Sequence, residues 1–260
     1  ARQGVFSYKP APIQVNYLGF PGTIGAKYMD YIIADKVVIP EESKIHYIEK
    51  LVYLPNSYQA NDDLRKISDR QFSRAQLGLP EDAFVFGTVN KNQPRKDIGC
   101  TLISFAKLKK TLDSLPDTYK NGNKVVLYLH TYHNDPTGIN IHQVASRLGL
   151  KFNEDYFLPI EPKYSNAEFT PAEMNEVYNC LDVFVSTSSA EGWGLTITEA
   201  MSVGLPIVCG NHTSIKEITR NGKDVFSIFG QHEHVQIHDG NAIRYCLDSN
   251  QVSHQLWLLF

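Results

Sequence analysis

Two glutamates eight residues apart, Glu191 and Glu199, frame the stretch of this 260-residue sequence best equipped for chemistry, Ser186-Thr-Ser-Ser-Ala-Glu-Gly-Trp-Gly-Leu-Thr-Ile-Thr-Glu-Ala-Met201. An ionised carboxylate accepts hydrogen bonds on both oxygens, so a pair of them suits recognition of vicinal hydroxyls. Gly192 and Gly194 let the backbone approach a ligand closely. A helix starting at Leu195 and Thr196 would offer free N–H groups to an anion. Cations for such an anion lie in Asn90-Lys-Asn-Gln-Pro-Arg-Lys-Asp97, where Lys91, Arg95 and Lys96 cluster. Arginine can bind phosphate oxygens bidentately, whereas lysine acts as a point charge. Taken singly, Glu199 reads equally well as a solvated acid near a helix start, and the basic turn as a solvated loop. Their grouping is what favours a ligand site.

The elements that must position these residues follow an alternating pattern. Phe84–Val89 reads as a buried parallel strand, followed by a helix with Ile98, Leu102, Phe105 and Leu108 on one face. Lys124–His130 is the next strand, and residues 141–148 the next helix. Thr170-Pro-Ala-Glu173 has the form of a capping box with proline at the first helical position. Met174, Val177, Tyr178 and Leu181 continue that helix as its buried stripe. Val183–Ser186 and Pro206–Cys209 read as strands on either side of a helix over 195–203. Strands alternating with helices at this spacing imply a parallel sheet, whose ligands sit beyond the carboxyl ends of the strands. Both the basic turn and the glutamate loop leave such strand ends.

The first 80 residues differ in texture, with short β-rich runs at 13–20, 31–39 and 51–54 and a glycine-rich loop at Pro21–Gly25. Residues 56–73 are polar and read as a surface crossing between domains. Pro21-Gly22-Thr23 and Tyr31 fit either a cleft lining or a structural turn. The expected domains are a partial amino-terminal segment, 1–80, and a ligand-binding domain, 81–260.

Composition narrows the class. An apolar fraction of 42% and a net charge of −3 describe an ordinary globular protein and give no general nucleic-acid or membrane-surface field. No apolar run reaches the ~20 residues of a membrane span. Cys100, Cys180, Cys209 and Cys246 are widely spaced and read as reduced thiols, which points to the cytoplasm. No Asp-x-Asp pattern occurs, and no bound metal or other cofactor is expected. His232, His234 and His238 could suggest zinc, but a polar surface loop explains them as well. His130 and His133 follow a strand end and read as structural, with ligand contact the alternative.

From about Phe84 to Val225 the sequence resembles the large retaining glycosyltransferase family with the E-x7-E signature, which includes glycogen synthases, sucrose synthases and many mannosyltransferases. The likeness includes Gly204-Leu-Pro206 and Ser214-Ile-Lys-Glu217 after the motif. It implies that a nucleoside-diphosphate sugar is the donor substrate. Glu191 would contact the sugar, Glu199 the ribose, and the backbone at Gly192, Gly194, Leu195 and Thr196 the diphosphate. In that family an arginine and, five residues later, a lysine neutralise the departing diphosphate. Here Lys91 and Lys96 hold those positions with Arg95 beside the second, so either Lys91 or Arg95 takes the arginine's place.

Residues from about 8 to 88 resemble a different family, the catalytic region of protein O-linked N-acetylglucosamine transferases. Lys9–Gly25, Met29–Asp35, Leu51–Pro55 and Leu77–Ala83 carry that likeness. Both resemblances imply a GT-B-like α/β fold, here a Rossmann-type donor domain preceded by an incomplete Rossmann-like segment. They differ in outcome, since the first family retains anomeric configuration and the second inverts it. The expectation is a metal-independent, retaining transfer of a hexose-type sugar to an unknown glycan, lipid or protein acceptor. The alternatives are an inverting protein O-linked N-acetylglucosaminyltransferase and a non-catalytic nucleotide-sugar-binding module. The front segment supplies only the later strands of such a domain, and no long helix is expected at Trp257–Phe260 to cross back to it. A fragment, or a partner chain completing that domain, is therefore expected.

Overall fold

A computed structural model describes residues 3–60, 73–116, 124–159, 169–228, 231–236 and 242–260. The chain divides into two compact units, residues 1–65 and 66–260.

The first unit holds a parallel three-stranded sheet in the order β1 (Val15–Tyr17), β2 (Tyr31–Ala34), β3 (Lys50–Tyr53). One face packs Ile32 and Ala34 with Ile39 into a small core. The other face carries Val15, Tyr17, Ile33 and Val52 in register, and three of these are 40–44% exposed. Parallel sheets ordinarily cover both faces. β1 and β2 are shorter than the sequence pattern suggests, for identifiable reasons. β1 stops where Leu18 and Gly19 take positive φ values. β2 stops where the Asp35 carboxylate accepts the N–H groups of Val37 and Val38, turning the chain. Thr23 donates to Glu49 at 2.6 Å, which anchors the glycine-rich loop. Most of the 56–73 crossing lies outside the described residues.

The second unit is a six-stranded parallel sheet in the order β6-β5-β4-β7-β8-β9. Its strands are β4 (Phe84–Val89), β5 (Val125–His130), β6 (Tyr156–Phe157), β7 (Val183–Ser186), β8 (Ile207–Gly210) and β9 (Phe226–Ile228). The intervening helices are α1 (Ile98–Ser114), α2 (Ile141–Arg147), α3 (Pro171–Asn179), α4 (Leu195–Ser202) and α5 (Thr213–Ile218). Alternate residues of each strand serve opposite faces. Phe86, Leu127, Leu129 and Val185 pack with α1 and α2, while Val85, Val126, Tyr128 and Phe184 pack with α3, α4 and α5. Both faces are thus covered, as continuous apolar strands require.

After β9 come the antiparallel pair β10 (Gln231–Gln236) and β11 (Ala242–Leu247), then α6 (Ser249–Leu259). The polar loop expected around His232 and His234 is therefore strand, and His238 lies outside the described residues. The tail is helical as well: α6 buries Val252 and Leu256 against the α1 side, and Phe260 meets the Phe84 ring edge-on at 5.4 Å. Neither β10–β11 nor α6 is foreshadowed by the apolar patterning used for the other elements.

From β4 the chain steps outward through β5 to β6, then returns and steps the other way through β7 to β9. The direction reverses between β4 and β7. At such a switch point the loops leaving two neighbouring strands diverge and open a crevice.

Candidate functional site

Those two loops are the ones the sequence singles out. The loop after β4 carries Lys91, Arg95 and Lys96, and the loop after β7 carries Glu191. In the first, Pro94–Lys96 forms a single 3-10 turn that ends at Asp97, whose side chain caps α1 by accepting the Cys100 N–H. In the second, Thr187, Ser188 and Ser189 are buried, and Thr187 and Ser189 spend their hydroxyls on the neighbouring turn. Thr187 donates to the Asp97 carbonyl at 2.8 Å, and Ser189 donates through Oγ and N–H to the Arg95 carbonyl. Small hydroxyl residues here let two loops lie side by side with their polar backbone satisfied.

This stitching brings Lys96 and Arg95 onto Glu191. Lys96 Nζ lies 2.5 Å from Glu191 Oε1 and Arg95 Nη1 lies 3.0 Å from Oε2. Ser188 Oγ donates to Oε1 at 2.6 Å, and Arg95 also donates to the Ala190 carbonyl. The Lys96 and Glu191 side chains are only 13% and 9% exposed. Burial alone would raise the Glu191 carboxyl, but Lys96, Ser188 and Arg95 outweigh it and hold the group below the ordinary carboxylate range. Lys96 is lowered as well: burial and the Arg95 charge bring its ammonium down despite Glu191. Lys91, by contrast, is exposed and makes no ion pair with a described residue.

The glutamate loop is pinned from its far side too. Ser214 donates to the carbonyls of Glu191 and Trp193, and the Glu191 N–H donates to Thr213. Gly192 is exposed with no atom near its missing Cβ. Gly194 is the N-cap of α4 with φ +99°, where a Cβ would meet Ile218 at 3.1 Å. Only glycine takes that conformation freely. Leu195 and Thr196 form the first turn, and their N–H groups donate to no described residue. Glu199 lies one turn further on, its Oε2 accepting from the Tyr178 hydroxyl at 2.6 Å.

Three more polar groups stand on this edge. Asn90 Oδ1, Thr131 Oγ1 and Asn211 Oδ1 are buried without a hydrogen-bond partner among the described residues. Each sits one residue past the end of β4, β5 or β8. Buried polar atoms are nearly always satisfied by protein, water or ligand, so their concentration on one rim marks where a polar ligand or its waters belong. His130 ends β5 fully buried beside Tyr128, and burial drops its pKa to about 4. His133 contacts the ring of His142 rather than the carboxylate site. His234 lies 3.2 Å from Cys246 Sγ. Among the described residues, no group of three or more His, Cys, Asp or Glu side chains is arranged to hold a metal ion.

Residue type and spacing single out the glutamates, the glycines and the basic turn. They do not single out Ser188, Ser189 and Thr213 as supports, and they assign Tyr178 only to the core. The hydroxyl run Ser186–Ser189 was the available signal, since four small polar residues leaving a buried strand need partners.

Comparison with solved structures places this architecture in the GT-B glycosyltransferase fold. WaaG, a glycosyltransferase involved in lipopolysaccharide biosynthesis, superposes with a TM-score of 0.61 at 14% identity, over 99% of this chain and 71% of WaaG. A mutant of the Thermobaculum terrenum O-GlcNAc transferase superposes with a TM-score of 0.55 at 20% identity, over 99% of this chain and 42% of that one. Two family models then match separate parts of the sequence: glycosyl transferase family 41 over residues 1–71 and glycosyl transferases group 1 over residues 160–248. A probable UDP-N-acetylglucosamine–peptide N-acetylglucosaminyltransferase SEC from Arabidopsis thaliana is 46% identical over 96 residues. That alignment covers 35% of this chain and only 10% of the plant protein. The fold is thus the GT-B fold, with family 41 sequence matched at the front of the chain and group 1 sequence matched around Glu191 and Glu199. Among the described residues no helix is long and apolar enough to cross a membrane.

Proposed function

We propose that this chain binds a nucleoside-diphosphate sugar on the β4–β7 edge and transfers its hexose-type sugar to an acceptor with retention of configuration and without a metal. The observation that carries the reading is the meeting of Lys96, Arg95 and Glu191 at the switch point, one loop away from the free first turn of α4 and from Glu199. In this reading Glu191 accepts from sugar hydroxyls and Glu199 from ribose hydroxyls. The N–H groups of Leu195 and Thr196, approached past Gly192 and Gly194, face the diphosphate. When the bond between the anomeric carbon and the phosphate oxygen breaks, its electron pair leaves with the diphosphate. Lys96 and Arg95 stabilise that charge from a site that is already oriented and largely dry. Arg95, rather than the exposed Lys91, takes the second cationic role.

The identity of residues in the front segment to a UDP-N-acetylglucosamine–peptide transferase supports a second reading, inverting transfer of N-acetylglucosamine to protein. A non-catalytic binding module is the third. A partner chain belongs to the same proposal, supported by the exposed apolar face of the first sheet. The free thiols support a cytoplasmic setting.

The test is to incubate the chain with UDP-, GDP- and ADP-sugars and mixed glycan and peptide acceptors, reading nucleotide release and the anomeric configuration of the product by NMR. Retention is expected. An inverted product selects the second reading, and binding without release selects the third.

A further inference from the structure

The hydrogen bond between Tyr178 and Glu199 links the two helices that flank β7. Tyr178 is on α3, the helix that leads into the strand, and Glu199 is on α4, the helix that leaves it. The Tyr178 ring is 2% exposed, packed in the core beside Val177 and Leu181 and tilted against Phe184 at 5.9 Å. A capping box at Thr170 and Glu173 fixes the start of α3, so the helix that presents the ring is itself anchored. The hydroxyl points away from this apolar setting to Glu199 Oε2 at 2.6 Å. Burial, followed by the nearby Glu199 charge, raises the phenol well above the ordinary tyrosine range, so it stays a donor wherever the protein is folded. The other carboxylate oxygen, Oε1, bonds to no described residue.

We infer that Tyr178 is a positioning residue for ligand recognition: it holds one oxygen of Glu199 and fixes the carboxylate plane, so that the other oxygen is aimed at a ribose hydroxyl. This rests on the assignment of Glu199 to the ribose. A carboxylate on a surface helix rotates freely about its side-chain torsions, and ordering it at the moment of binding costs conformational entropy. A short charge-assisted bond from a rigid, buried ring removes that freedom beforehand. A merely structural tie between α3 and α4 would hold the helices together equally well whatever sugar the nucleotide carried. A positioning role ties the bond to discrimination between ribose and deoxyribose.

The experiment measures binding of UDP, GDP and ADP, of the 2′-deoxy and 3′-deoxy analogues of whichever binds tightest, and of inorganic pyrophosphate. Wild type, Tyr178→Phe and Glu199→Gln are compared by titration calorimetry. Tyr178→Phe keeps the ring in the core and removes only the donor. We expect it to lose about tenfold in affinity for the ribonucleotide, in line with loss of a hydrogen bond to a charged group. It should also lose most of the ribose-over-deoxyribose preference while binding pyrophosphate as wild type does. Each preference is a ratio within one preparation, so a lower folded fraction in a variant leaves it unchanged. If Glu199→Gln loses the preference and Tyr178→Phe keeps it, the positioning role is overturned while the ribose assignment stands. If Glu199→Gln keeps it, or none of the three nucleotides binds, the ribose assignment itself fails and the inference falls with it.

Discussion

The ammonium of Lys96 sits 2.5 Å from Oε1 of Glu191, so the cation expected for phosphate and the carboxylate expected for sugar are bonded to each other. Arg95 completes the arrangement on the second oxygen. One carboxylate therefore pairs with both site cations while the trio stays net positive, and an incoming diphosphate must compete with it or share them.

Competition has a direct consequence for Glu191→Gln. Removing the negative charge while keeping the shape releases both cations. Pyrophosphate affinity should rise by about tenfold, equivalent to ~1.4 kcal/mol, even as sugar transfer falls. Calorimetry with pyrophosphate checks this, and weaker binding by the variant would show that the acid supports the anion site instead of competing for it.

The two lysines of the basic turn should separate cleanly. Lys96→Met removes a buried charge beside the expected leaving group and should lower the turnover rate by roughly 10²–10³-fold, the usual cost of one preorganised electrostatic contact. Lys91→Met alters an exposed side chain and should change the rate less than about twofold. Equal losses would return Lys91 to the diphosphate and discard the role given to Arg95.

How much of this was legible beforehand depended on what each residue had to do. The second unit's strands read well because β4, β5, β7 and β8 are buried on both faces and so are mostly apolar, with Thr88, His130 and Ser186 as polar exceptions towards their carboxyl ends. Phe84–Val89 and Val183–Ser186 match their expected bounds. The short strands β6 and β9, at two and three residues, are too brief for any period to show. Apolar patterning overextends β1 and β2 because Leu18, Gly19 and Asp35 turn the chain through local geometry that such counting ignores. At the site, residue type and spacing singled out Glu191, Glu199 and Lys96. The pairing of Glu191 with Lys96 spans 95 positions and depends on which strands become neighbours. That long-range order is what patterning does not contain, and the Tyr178–Glu199 bond is invisible to it for the same reason.

Gly194 offers a backbone test. Its φ of +99° at the N-cap of α4 strains any L side chain, and a Cβ would press on Ile218. Gly194→Ala should destabilise the protein by about 1–2 kcal/mol and weaken nucleotide binding by displacing the first turn. Chemical denaturation measures the first effect; an unchanged midpoint would mean the loop relaxes without cost.

Two buried histidines set an acid limit. Burial lowers His130 and His212 to about 4 each, the latter against an opposing pull from Glu191. Both are therefore neutral in the folded protein at pH 5, whereas in the unfolded chain they protonate below their ordinary 6.5. Their stabilising contribution is complete above about pH 6.5 and is lost as pH falls towards 4, on the order of 3 kcal/mol for each. The melting temperature should drop across that window, and His130→Asn should flatten part of the drop. A melting temperature that holds steady from pH 7.5 to 4.5 would contradict the assignment.

The central claim is that the β4–β7 edge is a nucleotide-sugar site, and titration of the chain with UDP, GDP and ADP beside Glu199→Ala tests it most directly. At least one nucleotide should bind with a micromolar Kd, near −8 kcal/mol, and Glu199→Ala should weaken it by about tenfold or more. Absence of binding by all three, or equal affinity in the variant, would contradict it.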